Sequence, residues 1–340
     1  MRVILVTGSA GFIGYHLCKI LLADGFKVVG VDSMSDYYDV GLKHARHADL
    51  MRSNAFSAEE FDILDADRLM AYAERAQPDV IVHLAAQAGV RYSLENPRAY
   101  VDTNVTGTFN VMEVARTVKV SHLLMASTSS VYGANEAMPF AETDKSDLPL
   151  TIYAATKKAN EAMAHSYAHV WDIPTTMFRF FTVYGPWGRP DMALFKFTKG
   201  IIEGTPIDVY NHGDMWRDFT YVEDLARGIR LLIDVVPERP ASLQDIAPGD
   251  SLSPVAPYRI VNIGNSDKVR LEDFIDAIEV EVGKPAVRNY LPMQPGDVPA
   301  TWANAELLRR LTGYVPQTDV RTGIKHFVAW YRGYYGTARQ

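Results

Sequence analysis

The stretch Gly8-Ser-Ala-Gly11-Phe-Ile-Gly14 follows the short apolar run Val3-Ile-Leu-Val6 and opens a helical pattern. Glycines at this spacing allow a tight turn, let the backbone approach a ligand, and let the helix pack closely on the strand. The N-terminus of such a helix can hold a pyrophosphate. A glycine triplet alone is a weak signal, but here the preceding strand and the following helix supply the context of a dinucleotide site.

Strand-like and helix-like segments alternate through the first half of the chain. The strand-like segments are residues 2–7, 27–31, 56–62, 80–85, 122–126 and 175–183. The helix-like segments are residues 12–23, 41–51, 66–77, 97–118 and 153–171. Short apolar runs separated by helices predict a parallel sheet covered on both faces. Right-handed crossovers then give a doubly wound, Rossmann-like α/β fold.

The sequence changes character after Tyr184, where glycine and proline become frequent, as in residues 185–190 and 240–257. We therefore predict a dinucleotide-binding domain over residues 1–183 and a smaller substrate-binding lobe over residues 184–340. The stretch Val261-Asn-Ile-Gly-Asn265 predicts a strand near 259–264 that returns to the first domain. The two units are thus expected to be interleaved.

The chain has 340 residues, a formal net charge of −7 and one cysteine, Cys18. Negative charge argues against general affinity for nucleic acids or membranes. A single cysteine excludes a disulfide framework and fits a reducing compartment, and its apolar helical surroundings make Cys18 a predicted core residue. No signal peptide or membrane-spanning run is visible, so we expect a cytoplasmic protein.

The histidines give no metal-site pattern. His165 and His169 are four residues apart on a predicted helix, but Ser166 stands where a zinc-protease helix carries glutamate. His83 lies within an apolar strand, where a buried, hydrogen-bonded histidine is the preferred interpretation. We expect no bound metal.

Acidic and small residues at the strand ends extend the dinucleotide site. Asp32 ends the second strand, 18 residues beyond Gly14. A carboxylate there accepts both hydroxyls of an adenosine ribose and repels a 2′-phosphate, which favours NAD over NADP; a solvated loop aspartate is the alternative. Asp62 and Ile63 end the third predicted strand, where a carboxylate can meet the adenine amino group; a plain turn aspartate is the alternative. The small residues of Leu84-Ala-Ala86 allow close approach to the cofactor.

A phenol, an ammonium group and several hydroxyls form the predicted catalytic set. Ser127-Thr-Ser-Ser130 ends the fifth strand, at the edge where ligands of open α/β sheets bind. Tyr153 and Lys157 lie one turn apart on the same helix face. A cation near a phenol favours the phenolate and lets it act as a base near neutral pH. Capping of a helix is the alternative role for one or two of these hydroxyls.

The glycine triplet, the hydroxyl-bearing strand end and Tyr153-x-x-x-Lys157 together resemble the extended short-chain dehydrogenases/reductases over nearly the whole chain. In that family the tyrosine is the acid/base, the lysine lowers its pKa and binds the nicotinamide ribose, and a serine or threonine orients the substrate hydroxyl. The resemblance assigns these roles to Tyr153, Lys157 and Thr128, which precedes Tyr153 by 25 residues; Ser129 and Ser130 are alternatives to Thr128. The NAD-contacting residues that it implies are Gly8, Gly11, Phe12, Ile13, Gly14, Asp32, Asp62, Ile63, Leu84, Ala85, Ala86, Gln87, Asn104, Tyr153 and Lys157.

Further stretches, at residues 32–39, 85–92, 179–191 and 213–221, resemble the UDP-glucuronate 4-epimerases. Residues 294–302 resemble the nucleotide-binding segment of those enzymes. In the related UDP-galactose epimerases an arginine stands at the position of Gln294 and an asparagine at that of Thr182, so these departures favour a uronate. The substrate-contacting residues implied are Arg91, Thr128, Ser129, Ser130, Thr182, Arg189, Arg217, Gln294 and Asp297.

A UDP-uronate carries a diphosphate and a carboxylate, so several cations or hydroxyl donors must converge on it. The hydroxyls expected to donate to the carboxylate are those of Thr128, Ser129, Ser130 and Thr182. We assign Arg217 to the diphosphate, which suits bidentate binding, and Arg189 to the sugar carboxylate or a phosphate. Arg91 is assigned either to a phosphate or to a subunit interface. Asp297 is expected to bind the uridine ribose, and Arg179, inside a strand, to be structural.

The implied reaction oxidises C4 of the sugar, turns the 4-keto intermediate over and reduces its other face. The carboxylate of that intermediate is β to a ketone, so loss of CO₂ competes with epimerisation. The alternatives are a UDP-glucose/galactose 4-epimerase, a UDP-glucuronate decarboxylase and, from another class, a non-catalytic dinucleotide-sensing protein. A 4,6-dehydratase is disfavoured because no carboxylate follows Thr128. The resemblance also implies a homodimer formed through helices 97–118 and 153–171.

Overall fold

The computed structural model describes residues 1–336. The strands are β1 (Val3–Thr7), β2 (Lys27–Asp32), β3 (Phe56–Glu60), β4 (Val80–His83), β5 (His122–Thr128), β6 (Thr175–Phe180), β7 (Thr182–Tyr184), β8 (Ile207–Val209), β9 (Trp216–Tyr221), β10 (Tyr258–Ile263), β11 (Lys268–Arg270), β12 (Arg288–Tyr290) and β13 (Ala300–Thr301). The helices are α1 (Phe12–Ala23), α2 (Val40–Leu50), α3 (Ala66–Ala76), α4 (Tyr92–Glu95), α5 (Pro97–Tyr100), α6 (Thr108–Val118), α7 (Ile152–Trp171), α8 (Ala193–Glu203), α9 (Val222–Leu232), α10 (Leu271–Val282), α11 (Glu306–Thr312) and α12 (Val320–Gly336).

The largest sheet in the described residues has seven strands in the order β10-β6-β5-β4-β1-β2-β3. All of its neighbouring strands run parallel. The order reverses between β1 and β4, and crevices at such points bind ligands in open α/β sheets. The predicted doubly wound α/β fold is confirmed.

Two hydrophobic clusters cover the two faces of this sheet. One contains side chains of α1 and α9, and the other contains side chains of α3, α6 and α7. Cys18 is fully buried in the first cluster, as predicted. A sheet buried on both faces explains why its strands read as continuous apolar runs.

A smaller lobe stands over the carboxyl edge of the large sheet. Strand β9 pairs with β7, β11 and β13, while β8 pairs with β12. Its own core packs side chains of α8, α10 and α12 around Phe219 and Phe274, whose rings stack at 3.9 Å. The lobe therefore has its own sheets and hydrophobic core.

The chain after residue 183 returns to the first unit. Strand β10 pairs in parallel with β6, close to the predicted return at 259–264. Side chains of α9 and α11 also join the core beneath the large sheet. The division into two domains at residue 183 remains a prediction. The contacts of β10, α9 and α11 with the first unit are those expected of interleaved domains.

Four sequence predictions of regular elements were wrong in detail. The segment 175–183 is two strands, because Phe181 turns into a separate apolar cluster and β7 leaves the large sheet to pair with β9. The segment 97–118 is helical throughout, but residues Val101–Gly107 form a π-helical segment between α5 and α6. Strands β3 and β4 end two residues earlier than predicted, so Asp62 and Ile63 lie just beyond β3.

The three histidines considered from the sequence have structural partners. His83 lies between the hydroxyls of Thr7 (2.7 Å) and Thr108 (3.0 Å), and burial lowers its pKa to about 3, as expected for a core histidine. His165 and His169 contact the hydroxyl of Ser253 and a backbone carbonyl, respectively. In residues 1–336 no group of three or more potential ligands is placed to hold a metal ion. None of the described helices is long and apolar enough to cross a membrane.

The packing of α1 on β1 predicts the effect of a single methyl group. A Cβ at Gly14 would lie 2.1 Å from the Gly8 carbonyl oxygen, so Gly14→Ala must displace the turn. We expect the free energy of unfolding to fall by about 1–3 kcal/mol, as measured by urea denaturation. In the control Gly228→Ala, on α9, the added Cβ meets Ile263 at an ordinary 3.5 Å, and stability should stay level or rise by up to about 1 kcal/mol. Equal effects of the two substitutions would contradict this account.

Candidate active site

A cleft of about 1330 Å³ runs between the carboxyl edge of the large sheet and the smaller lobe. It brings together most of the residues singled out from the sequence. Those that line it are Gly8, Gly11, Phe12, Ile13, Gly14, Asp32, Asp62, Ile63, Leu84, Ala85, Ala86, Gln87, Arg91, Thr128, Ser129, Ser130, Tyr153, Lys157, Thr182, Arg189, Arg217 and Asp297. Asn104 and Gln294 are not among the lining residues.

The glycine turn forms the floor at one end of the cleft. The Gly8 N–H donates to the Val31 carbonyl (2.7 Å), and φ at Gly8 is +74°, a conformation that glycine adopts without strain. A Cβ at Gly8 would lie 2.8 Å from the Ala85 nitrogen. The turn therefore approaches the end of β4 as closely as glycine allows.

Asp32 is a buried carboxylate at the end of β2, not a solvated loop residue. One of its oxygens accepts from the Ala10 N–H in the glycine turn (3.0 Å), and the other accepts from the Met34 N–H (3.0 Å). The carboxylate thereby joins the turn to the loop after β2. It still lines the cleft, where it can accept from ribose hydroxyls.

Asn104 holds a loop of the cleft from behind. Its Oδ1 accepts from the Gln87 N–H (2.9 Å), and its Nδ2 donates to the Gln87 carbonyl (3.0 Å) and to Thr156 (3.2 Å). Asn104 is fully buried in the π-helical segment. Asn104 does not line the cleft, and the bonds of its amide group go to Gln87 and Thr156; its direct contact with the cofactor stays a prediction.

The catalytic set meets where β5 ends against α7. The Lys157 ammonium donates to the Ala126 carbonyl (3.0 Å), and Thr128 is close enough to Tyr153 for its hydroxyl to lower the pKa of the phenol. Of the three hydroxyl residues considered for the role beside Tyr153, the geometry favours Thr128. Thr128 also accepts from the Ser130 N–H (3.2 Å), so this hydroxyl caps the turn that follows it.

Charges around Tyr153 differ from those inferred from the sequence. Burial raises the pKa of Tyr153, while the Thr128 hydroxyl and the positive charge of Arg189 lower it. From the sequence, Lys157 was expected to supply this positive charge. In the structure the ammonium of Lys157 points to the β5 backbone, and burial lowers its own pKa to about 8.

The buried carboxylate of Glu161 joins α7 to β5 through Ser127 and to β6 through Arg179. The Glu161 carboxylate accepts from the Ser127 hydroxyl (2.7 Å) and is bound by two guanidinium nitrogens of Arg179, both at 2.8 Å. Glu161 lies four residues beyond Lys157, on the same face of α7 as Tyr153. Arg179 is therefore structural, as predicted. Ala126 and Ser127, which directly precede Thr128, are both tied to the catalytic helix.

Three charged residues converge at the far end of the cleft. Arg91 forms an ion pair with Asp297 (3.3 Å) and stacks over the Tyr210 ring at 4.3 Å. Arg217 donates to two backbone carbonyls, and burial lowers its pKa while the charge of Asp297 raises it. Gln294 stands outside the lining and accepts from the Asp297 N–H through its carbonyl (3.2 Å). The two arginines leave this end positively charged, as a diphosphate requires.

Arg189 sits between the two ends of the cleft. Its guanidinium binds the Asp191 carboxylate through two nitrogens, at 2.6 and 3.0 Å. The Tyr37 hydroxyl donates to the same carboxylate (3.3 Å). Asp191 thus holds Arg189 in place and joins the loop after β2 to the loop after β7.

Sequence reasoning missed several residues of the cleft. Tyr37, Tyr38 and Lys43 line it from the loop and helix after β2, and Tyr210 lines it from the lobe. Tyr37 and Tyr38 belong to the stretch 32–39, which resembles the UDP-glucuronate 4-epimerases. Its position just after a parallel strand, at the ligand-binding edge, was the signal available.

Burial of Lys157 makes the stability of the cofactor-free protein depend on pH. The pKa of Lys157 is about 8 in the folded state against 10.5 ordinarily, so between these values the unfolded state binds more protons. The free energy of unfolding of the wild type should therefore rise with pH relative to Lys157→Met, by on the order of 2–3 kcal/mol across the interval. Chemical denaturation of both proteins at a series of pH values measures this difference. A difference that does not change with pH would contradict it.

Comparisons with known proteins agree with this geometry. The profile of the family "NAD dependent epimerase/dehydratase family" matches residues 4–243. A probable UDP-glucuronate 4-epimerase of Rhizobium meliloti is 54% identical over 334 residues, which cover 98% of this chain and 98% of that protein. UDP-glucuronate 4-epimerase 1 of Arabidopsis thaliana is 44% identical over 338 residues, covering 98% of this chain and 77% of that protein.

Solved structures give the same result. A crystal structure of UDP-glucuronic acid 4-epimerase from Bacillus cereus, in complex with UDP-glucuronic acid and NAD, has a TM-score of 0.85 at 32% identity. The match covers 98% of this chain and 99% of that chain. From its sequence and its fold, this chain belongs to the NAD dependent epimerase/dehydratase family.

Proposed function

We propose that this protein interconverts UDP-glucuronate and UDP-galacturonate as an NAD-dependent 4-epimerase. The observation that carries the proposal is the meeting of Tyr153 and Thr128 with Arg189 in one cleft, whose far end holds Arg91 and Arg217. These residues match the parts of a UDP-uronate. Tyr153 is a base for the carbinol proton, Arg189 is a cation near the sugar, and Arg91 and Arg217 are cations for the diphosphate. Relatives that bear the name UDP-glucuronate 4-epimerase support the same activity.

The residues of the glycine turn fit NAD. The turn at Gly8 packs against the Ala85 backbone more closely than any residue with a Cβ would allow, and the buried carboxylate of Asp32 lines the cleft at the end of β2. Gly8, Gly11 and Asp32 would hold the adenosine and pyrophosphate parts, and Lys157 the nicotinamide ribose. When bound, NAD supplies the hydride acceptor and donor for C4 of the sugar.

The protein's own residues transfer the proton and orient the sugar. Tyr153 takes the proton of the C4 hydroxyl and later returns a proton to the C4 oxygen, so one group serves as base and then as acid. Thr128 orients that hydroxyl. Burial raises the pKa of Tyr153, and the Thr128 hydroxyl and the charge of Arg189 counter that rise in part, which keeps the phenol closer to the working pH than burial alone would.

The carboxylate of the sugar must be held during the keto stage. Ser129, Ser130 and Thr182 place hydroxyl groups in the cleft, and Arg189 adds a cation that Asp191 fixes in direction. Loss of CO₂ requires the bond to the carboxylate to align with the π system of the C4 carbonyl. Contacts that hold the carboxylate out of this alignment prevent the loss. This hydroxyl set supports epimerisation over decarboxylation.

We also propose a cytoplasmic homodimer. The outward sides of the segment 97–118 and of α7 expose Val101 (39%), Phe109 (44%) and Val170 (61%). Exposed apolar side chains grouped on two neighbouring helices suit a contact with a second copy around a twofold axis. A free, buried Cys18 is consistent with a reducing compartment.

Replacing the catalytic phenol should slow turnover without weakening the binding of NAD and UDP. Tyr153→Phe is expected to lower kcat by at least about 100-fold, because only the hydroxyl that moves the proton is removed. Proton NMR of UDP-glucuronate turnover, with titration of NAD and UDP, measures both effects. The control Tyr72→Phe makes the same change in the core of the first unit and should keep full activity. Substantial epimerisation by Tyr153→Phe would remove Tyr153 from this role.

The subunit contact can be tested by a charge on the exposed face. Val101→Glu places like charges together across a twofold axis, so it should convert a dimer of about 76 kDa, twice 37.9 kDa, into monomers. Sedimentation velocity measures the mass. Leu243→Glu, at a residue 69% exposed on a turn elsewhere, is the matched control and should remain dimeric. A dimeric Val101→Glu protein would place the contact on another surface.

A further inference from the structure

Arg46, on α2, is fully buried and binds three separate segments of the first unit and the lobe. One terminal nitrogen donates to the Ala10 carbonyl (2.8 Å) and to the Tyr38 hydroxyl (2.8 Å). The other terminal nitrogen donates to the Trp187 carbonyl. A single side chain thus connects the glycine turn, the loop after β2 and the loop after β7.

The charge of this guanidinium has no counterion in the described residues. No carboxylate of residues 1–336 lies within 4.0 Å of its nitrogens, and its Nε is buried without a hydrogen-bond partner. Arginine stays protonated in proteins, and a buried, unpaired charge is costly. An anion bound at the adjacent glycine turn would offset that cost.

Arg46 is one of three groups that fix the glycine turn. The Ala10 carbonyl is held by Arg46, the Ala10 N–H by Asp32, and the Ser9 hydroxyl by His47 at 2.9 Å. The space for Ser9 depends on Gly30, where a Cβ would lie 2.5 Å from the serine oxygen. The peptide groups of the turn therefore have one orientation, set from behind by α2 and β2.

The same arginine reaches the loop that carries Arg189. Its partner Trp187 lies two residues before Arg189 and has φ of +61°, a left-handed conformation that a bulky residue adopts only when its surroundings hold it. The preceding carbonyl, that of Pro186, is bound by His16 of α1 at 2.9 Å. Two consecutive carbonyls of this loop are thus anchored to the dinucleotide-binding unit.

We propose that Arg46 is a positioning residue that sets the phosphate-binding turn and the Arg189 loop in register, and that its unpaired charge strengthens binding of the NAD pyrophosphate. The inference rests on NAD as the cofactor of the proposed function. It assigns to α2, which the sequence motifs leave out, a part in holding both the cofactor and the uronate. Because the charge acts from beneath the turn, Arg46 itself need not touch the cofactor.

The test compares Arg46→Lys and Arg46→Met with Arg52→Met, a change just beyond the same helix at an arginine whose side chain is 83% exposed. Each purified protein is stripped of nucleotide, and NAD binding is measured by calorimetry. Circular dichroism checks that each variant is folded without NAD. Arg46 acts on NAD indirectly, so its loss should raise the Kd for NAD by about tenfold to 100-fold, the range typical of energetic coupling between separate groups.

We expect Arg46→Met to lose more affinity for NAD than Arg46→Lys, because lysine keeps the charge but cannot make the forked contacts. At saturating NAD the KM for UDP-glucuronate should rise more than kcat falls in Arg46→Lys, because the loop of Arg189 loses its anchor. If Arg46→Met does not fold, Arg46→Lys decides the outcome. A wild-type Kd and KM in folded Arg46→Lys would overturn the proposal.

The two proposals fail in different ways. If the wild-type protein binds NAD but does not convert UDP-glucuronate, the proposed substrate is wrong, and the calorimetric comparison of Arg46 variants still stands. If the wild-type protein epimerises UDP-glucuronate and the Arg46 variants bind NAD as it does, only the role of Arg46 is wrong.

Discussion

The register between β5 and α7 is the constraint on which the rest of this site depends. The hydrogen bonds from Lys157 to the Ala126 carbonyl and from Ser127 to Glu161 hold the two residues before Thr128. Thr128 is thereby placed beside Tyr153 without relying on a flexible loop. The Glu161–Arg179 pair, almost wholly buried, makes a slip of this contact costly, so the positions of phenol and hydroxyl are fixed before any ligand binds.

The departure of β7 from the large sheet gives the cleft its second wall. Had residues 175–183 continued as one strand, Thr182 would remain in the sheet; instead the chain turns at Phe181 and pairs with β9. The loop after β7 then carries Arg189 back over the carboxyl edge, and β9 contributes Arg217. The catalytic residues at the edge of the large sheet and the substrate-binding residues of the lobe are therefore connected by only a few residues of chain.

Much of this arrangement could be predicted from the sequence because its signals are local. The glycine triplet, the alternation of strands and helices, and the spacing of Tyr153 and Lys157 each depend on a short stretch of chain. The π-helical segment that aims Asn104 at Gln87, the departure of β7, and the proximity of Arg189 to Tyr153 depend on tertiary contacts instead. Arg46 carried no signal at all, since a buried arginine bound to carbonyls has no sequence pattern.

The central claim is that C4 of a UDP-uronate is oxidised and reduced within one closed cycle. Turnover of UDP-glucuronate deuterated at C4, followed by NMR and a CO₂ assay, tests it most directly. The account predicts UDP-galacturonate that retains deuterium at C4, with no CO₂, because the hydride leaves and returns at the same carbon inside the cleft. Loss of the deuterium to solvent, or release of CO₂ with a pentose product, would contradict it.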